Sequence, residues 1–187
     1  MKSGICKLVF YAISPVLFMT SCIMSERTVE KSAGINGGFE VSKRGLPVNW
    51  LFYTPKTVPD ADFKIVLDTI EFKEGRQSIR YDVIKCSDSG EWRSPGFTRE
   101  FFELEGQGTY LLTFWVKNNG AKYRITAGGV KAKGSAMKTL LESDKKSSGW
   151  EKHEFEVNVP ETMWLRVQLN LLSPGTFWID DINIHKK

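Results

Sequence analysis

Apolar and polar residues alternate with a period of two over six short stretches, residues 78–84, 109–117, 123–127, 152–159, 164–171 and 176–184. They are rich in β-branched and aromatic residues, and Gly, Asn, Ser and Pro stand between them, so the pattern predicts strands rather than helices. No amphipathic helical stretch separates them. Evenly spaced strands without helices predict an all-β antiparallel sandwich. One segment interrupts the pattern, the Lys- and Ser-rich residues 131–149. It reads as a long solvated loop, with a single helical turn over 137–141 as the alternative.

Because alternate residues of a strand face opposite sides of a sheet, each stretch can be divided into an inner and an outer row. Tyr110, Leu112, Phe114 and Val116 then face the core, and Thr109, Thr113, Trp115 and Lys117 face out. Leu165, Val167, Leu169 and Leu171 turn inward, leaving Trp164, Arg166, Gln168 and Asn170 outside. Ile79, Tyr81 and Val83 are inner, while Ser78, Arg80 and Asp82 are outer. The three strands are expected to present one outer face carrying Trp115, Trp164, Arg80, Arg166, Asp82, Gln168 and Asn170. Flat rings beside planar polar side chains suit a saccharide, whose ring stacks on the aromatics while its hydroxyls take the hydrogen bonds. An ordinary sheet surface would carry Thr, Lys and Glu instead. Trp92, in a Gly- and Ser-rich loop, is placed either over a ligand or in the core. Trp50, Trp150 and Trp178 read as packing residues.

The first residues change the picture of where the chain acts. Lys2 and Lys7 flank the start of an apolar stretch from Leu8 to Met19, too short to span a bilayer stably, so residues 1–21 read as a secretion signal. The run Met19-Thr20-Ser21-Cys22 resembles the lipobox of bacterial lipoproteins, in which Cys22 would carry the lipid; an ordinary cleaved signal peptide is the alternative. Residues 22–34 are expected to form a flexible tether and 35–187 one folded domain. The whole chain has 26 Lys and Arg against 22 Asp and Glu. Removing Lys2 and Lys7 leaves 24 against 22, a net +2, which gives no footprint for nucleic acid. Cys86 is then left without a disulfide partner.

A resemblance rests on the two ends of the domain. Ile35-Asn36-Gly37-Gly38-Phe39-Glu40 opens it, and Thr176-Phe177-Trp178-Ile179-Asp180-Asp181-Ile182-Asn183-Ile184 closes it. The pair resembles the carbohydrate-binding modules of families four, nine and twenty-two, jelly-rolls of the galactose-binding-like type. Gly75-Arg76-Gln77-Ser78-Ile79-Arg80, the run from Gly106 to Lys117, and Gly149-Trp150 followed by Phe155, Val157, Val159 and Pro160 resemble further blocks of these modules. The resemblance implies a structural calcium held by Glu40 and Asp181, with carbonyls near Gly37 and in the turn at 74–77 as supplement and Asp180 facing the opposite way. The alternative is that Glu40 and Asp181 pair with Lys or Arg. First strand beside last strand is the arrangement the calcium reading requires.

Enzyme motifs are missing from the sequence: His153 and His185 are too few and too scattered for a zinc site or a Ser-His-Asp constellation, and there is no G-x-S-x-G elbow. Asp82 is the one acid on the expected face, which argues against a pair of catalytic carboxylates. The expectation is therefore a non-catalytic module that binds an oligo- or polysaccharide. It would be attached through Cys22 to the outer membrane, facing the periplasm or the cell surface. A structural or protein-interaction module of an envelope complex is the second reading, and a small polysaccharide-acting enzyme the third.

Overall fold

The computed structural model describes residues 28–104 and 106–187. The expected secretion signal at 1–21 and the lipidation site at Cys22 lie outside the described residues. Twelve strands follow one another in the described chain: β1 (Ser42–Lys43), β2 (Leu46–Pro47), β3 (Leu51–Tyr53), β4 (Asp62–Asp68), β5 (Ser78–Lys85), β6 (Gly96–Phe101), β7 (Gly108–Asn119), β8 (Tyr123–Lys131), β9 (Gly134–Ser143), β10 (Glu151–Val159), β11 (Trp164–Leu171) and β12 (Gly175–Lys186). Beyond the small β1-β2 hairpin they form two antiparallel five-stranded sheets, in the orders β10-β7-β12-β5-β4 and β3-β6-β11-β8-β9. The fold is an all-β jelly-roll sandwich.

Its core is built by the alternation itself. Tyr110, Leu112, Phe114 and Val116 from β7 meet Leu165, Val167, Leu169 and Leu171 from β11, and all eight are buried. Ile79, Tyr81 and Val83 from β5 join them, as do Phe177 and Ile179 from β12. At one end Trp50 lies edge-on to Phe97 and Phe101, with ring centroids 5.0 and 5.9 Å away, and Phe39 lies 5.9 Å from Trp50. Burial of this apolar surface is the main driving force for the fold.

Residues 131–149 differ from the expected loop. Most of them form β9, an edge strand paired with β8 from Tyr123↔Ser143 to Lys131↔Gly134. A register shift between Ile125 and Thr126 places Leu141 opposite Ile125 and Thr139 opposite Thr126, so Leu140 is the extra residue of a bulge. Two adjacent leucines, Leu140 and Leu141, pack against the core as a result. The bulge breaks the period of two, which hid the strand from pattern reading.

The expected tether is also partly folded. Asn49 ties Thr28 to Gly34 onto the body: its backbone N–H donates to the Thr28 carbonyl, its Nδ2 donates to the Glu30 and Gly34 carbonyls, and its Oδ1 accepts from the Glu30 N–H. The next segment, residues 35–40, is a turn rather than a strand. Asn36 shapes it, donating through Nδ2 to the carbonyls of Val41 and Val48 and accepting the Val41 N–H, while the Trp50 indole donates to the Asn36 carbonyl. This turn lies against the last strand, where the Ile182 N–H donates to the Gly37 carbonyl at 3.0 Å. The two ends of the domain do meet, but through one turn and not through a ladder, since β12 pairs with β5 and β7.

Candidate functional site

The outer face of the β3-β6-β11-β8-β9 sheet is laid out in rows by its register. Tyr53, Gly96, Asn170, Arg124 and Glu142 stand across the first, and Leu51, Thr98, Gln168, Thr126 and Thr139 across the second. Glu100, Arg166, Gly128 and Met137 form the third. A cavity of about 360 Å³ opens over these rows, lined by Tyr53, Arg124, Thr126, Met137, Thr139, Arg166, Gln168 and Asn170, with Ser89, Glu91 and Trp92 on its rim and Ser135 from the start of β9.

The rim is a pinned loop. Ser94 Oγ donates to the Ser87 carbonyl at 2.6 Å and accepts the Gly90 N–H at 2.9 Å. Asn170 Nδ2 donates to the Glu91 carbonyl at 2.7 Å, and Asn170 Oδ1 accepts from Gln168 Nε2 at 2.8 Å. Asn170 thus anchors the rim to the sheet and orients Gln168. Held this way, Trp92 remains 59% exposed at the mouth of the cavity, with the Arg93 guanidinium 4.9 Å from its ring centroid. Of the two placements the sequence allowed for Trp92, the structure takes the one over the groove.

Two arginines reach the groove and each is oriented by a carboxylate. Arg124 Nε donates to Glu142 Oε2 at 2.6 Å, and Glu142 also meets Lys122 Nζ at 2.8 Å. Arg166 pairs with Glu100, whose second oxygen accepts the Trp164 indole N–H at 3.0 Å. Burial pushes the Tyr53 phenol up to about 12 in spite of nearby Arg166, so it stays a neutral hydroxyl. The groove therefore offers an indole, a phenol and fixed planar polar groups. Such a set stacks on a sugar ring and exchanges hydrogen bonds with its hydroxyls.

Of the residues expected on one face, Arg166, Gln168, Asn170 and Trp164 share this sheet. Trp115, Arg80 and Asp82 do not: β7 and β5 belong to the opposite sheet, so their outer rows look out from the other side of the sandwich. Parity separates inside from outside but says nothing about which of two sheets a strand joins. There the Lys73 ammonium sits 4.3 Å over the Trp115 ring, and Arg80 spans Asp68 at 2.7 Å and Asp82 at 3.1 Å. Arg124 and Thr126 were missed although the parity of 123–127 already turns them outward. Tyr53, Met137 and Thr139 were missed because β3 and β9 were not anticipated.

Asp68 organises that second face. It is nearly buried, and burial alone would raise its carboxyl; the Trp178 indole, the Ile70 and Glu71 amides and Arg80 together outweigh this and hold it at about 2. A carboxyl depressed from 3.8 contributes stability that is present above about pH 4 and lost as the pH falls through about 2. In urea unfolding, the advantage of wild type over Asp68→Asn is expected to shrink by ~2 kcal/mol between pH 5 and pH 2. A constant difference across that window would refute the assignment.

The terminal carboxylates converge on the turn between β4 and β5. Glu40 Oε1 accepts the amides of Arg76 at 2.8 Å and Gln77 at 3.3 Å. Asp180, 0% exposed, accepts Lys73 and Glu74 amides on Oδ2 at 2.8 and 3.0 Å and the Asp181 amide on Oδ1 at 2.7 Å. Burial pushes Asp180 up to about 6 against the pull of those amides. Asp180 is thus the acid that joins Glu40 at this turn, not the one facing away. Asp181 sits at a bulge with φ 49° and accepts from Asn183 Nδ2 at 2.7 Å. The groups that meet Glu40 Oε1 and both oxygens of Asp180 are N–H donors, whereas calcium takes oxygen ligands. Among the described residues no group of three His, Cys, Asp or Glu side chains is placed to hold a metal. As arranged, Glu40 Oε1 and both Asp180 oxygens are taken up by backbone amides.

No family model and no curated protein matches the sequence. Solved structures do share the fold. The chain superposes with a TM-score of 0.57 and 17% identity on a Clostridium thermocellum xylanase 10B chain holding a family 22 carbohydrate-binding module and a family 10 catalytic module with xylohexaose, covering 74% of this chain and 26% of that one. The family 22 xylan-binding domain from Paenibacillus barcinonensis Xyn10C matches at 0.57 and 12% identity, over 80% of this chain and 91% of its own. A family 4 carbohydrate-binding module matches at 0.53 and 12%, over 81% and 98%.

Proposed function

We propose that this domain binds a glycan chain without cleaving it, in the groove across β11 and β8. The observation that carries the reading is the pinned Trp92 rim standing over a floor of Arg124, Arg166, Gln168 and Thr126. Trp92 and Tyr53 supply stacking surfaces, and Arg166, Arg124 and Gln168 read hydroxyls. Trp115, Arg80 and Asp82 take no part in binding, because they lie on the other face of the sandwich. Neighbours of the same fold that bind xylan or hold xylohexaose support the reading and make xylan the first ligand to try.

The reading of a non-catalytic module is supported by the carboxylates near the groove. Glu100 and Glu142 are each tied to basic side chains, and Glu91 sits on the rim. For the terminal seam, the proposal is that backbone amides hold Glu40 and Asp180 where the family resemblance assigns calcium to Glu40 and Asp181. Attachment to the outer membrane through Cys22, toward the periplasm or the cell surface, rests on the lipobox-like run alone.

Affinity electrophoresis of the whole chain against xylan, mixed-linkage glucan, mannan and pectin tests the groove. Retention is expected on at least one gel. On that gel Trp92→Ala and Arg166→Ala should each weaken binding at least tenfold, about 1.4 kcal/mol or more. Trp115→Ala should stay within twofold of wild type. Retention lost with Trp115→Ala and kept with Trp92→Ala would move the site to the opposite sheet.

A further inference from the structure

A second aromatic surface stands on the same sheet face, beyond the cavity. Phe102, just after β6, is 60% exposed, and its ring lies 5.0 Å from that of Trp164, the first residue of β11. The Trp164 ring is held in place by its Nε1, which donates to Glu100 Oε2 at 3.0 Å. Glu100 also holds Arg166, which lines the cavity, so an unbroken series of contacts runs from the cavity through Arg166 and Glu100 to the Trp164-Phe102 pair.

Both aromatic surfaces are tied to one strand, β11. Asn170, which anchors the Trp92 rim, and Trp164 are both outer residues of β11. Six residues of extended strand separate them, about 20 Å at roughly 3.3 Å per residue. Polar groups fill the space between, and exposed rings stand at each end. Exposed aromatics grouped in this way on a soluble domain mark a contact surface.

We propose that Phe102 and Trp164 form a second stacking subsite for the glycan held in the groove, one that only a chain long enough to reach from Trp92 to this pair engages. The proposal rests on the groove reading and adds a length requirement to it. A chain reaching from Trp92 to Phe102 gains a second stacking contact at no further cost in overall translational freedom, whereas a short one engages only the cavity.

Calorimetric titration of the whole chain with xylo-oligosaccharides from the disaccharide to the octasaccharide tests it; if electrophoresis selects another polysaccharide, the oligosaccharide ladder of that polymer is used. For wild type, affinity should rise at least tenfold in a step once the ligand is long enough to reach the pair. Phe102→Ala should remove the step and leave short-ligand affinity unchanged, Phe102→Trp should keep it, and Trp92→Ala should weaken every length. A Phe102→Ala ladder that coincides with wild type overturns the second subsite while leaving the groove reading intact. Failure of wild type to bind any length overturns the groove reading and this inference with it. A concentration-dependent dimer that Phe102→Ala abolishes in sedimentation velocity, with the step unchanged, would assign the pair to a second copy of the chain.

Discussion

Gly37→Ala is expected to destabilise the domain by ~4 kcal/mol or more, whereas Gly38→Ala costs less than ~1 kcal/mol. A Cβ on Gly37 would stand 1.8 Å from the Ile182 carbonyl oxygen, 2.7 Å from its carbon and 3.1 Å from its Cα, all backbone atoms of the last strand. A flexible side chain would swing aside, but a strand in the middle of a sheet cannot. Relief requires the 35–40 turn to lift from β12, which breaks the hydrogen bond from Ile182 to Gly37 and draws on Phe39 and Trp50, both buried beneath it. At Gly38 the same atom would meet only Glu40 Cγ, at 3.8 Å, an ordinary contact. Chemical unfolding of the two variants side by side decides the matter. Equal losses would mean that the contact between the chain's two ends is not what makes the Asn-Gly-Gly-Phe-Glu run necessary.

Asp180→Ala is the second large effect, an expected loss of ~3–5 kcal/mol, while Asp181→Ala stays near ~1 kcal/mol. Removing the Asp180 carboxylate leaves the amides of Lys73, Glu74 and Asp181 without their acceptor at a side chain that is fully buried. Each buried donor without a partner costs about 1–3 kcal/mol, and the partial exposure of the turn lets water recover some of that. Asp181 loses only its bond from the Asn183 amide. Thermal unfolding in calcium and in EDTA completes the test. Coincident midpoints are expected if amides hold this seam; a midpoint raised several degrees by calcium, and lost with Asp181→Ala, would restore the metal ligands that the family resemblance implies. The same turn also needs its glycine, because a Cβ on Gly75 would stand 2.2 Å from Glu40 Oε1 and φ there is +69°.

How much was legible in advance depended on the range of the interaction. The inner and outer rows of β5, β7 and β11 were readable because alternation is a property of single strands: every residue assigned to the core there is buried. Gly37 and Glu40 were recognisable as a motif, yet the resemblance named Asp181 as Glu40's companion, whereas Asp180 is the aspartate that meets Glu40's turn. A bulge between Asp180 and Asn183 decides that, and a bulge is set by the pairing of β12 with β7. Asn49, which docks the chain from Thr28 onward, carried no local pattern.

The groove illustrates the same division. Arg166, Gln168 and Trp164 were picked out by parity on one strand, and they do share a face. Trp115 was picked out by the same rule and lies across the sandwich from them, because strand order arises from pairings between segments distant in the chain. Local periodicity, turn residues and the paired terminal motifs were enough to establish the all-β class, the core rows and the meeting of the two ends. The assignment of strands to sheets, the β9 edge, the pinned Trp92 rim and the burial of Asp180 came only with the assembled tertiary structure. Each of those depends on contacts between residues far apart in the chain, and no period along it encodes them.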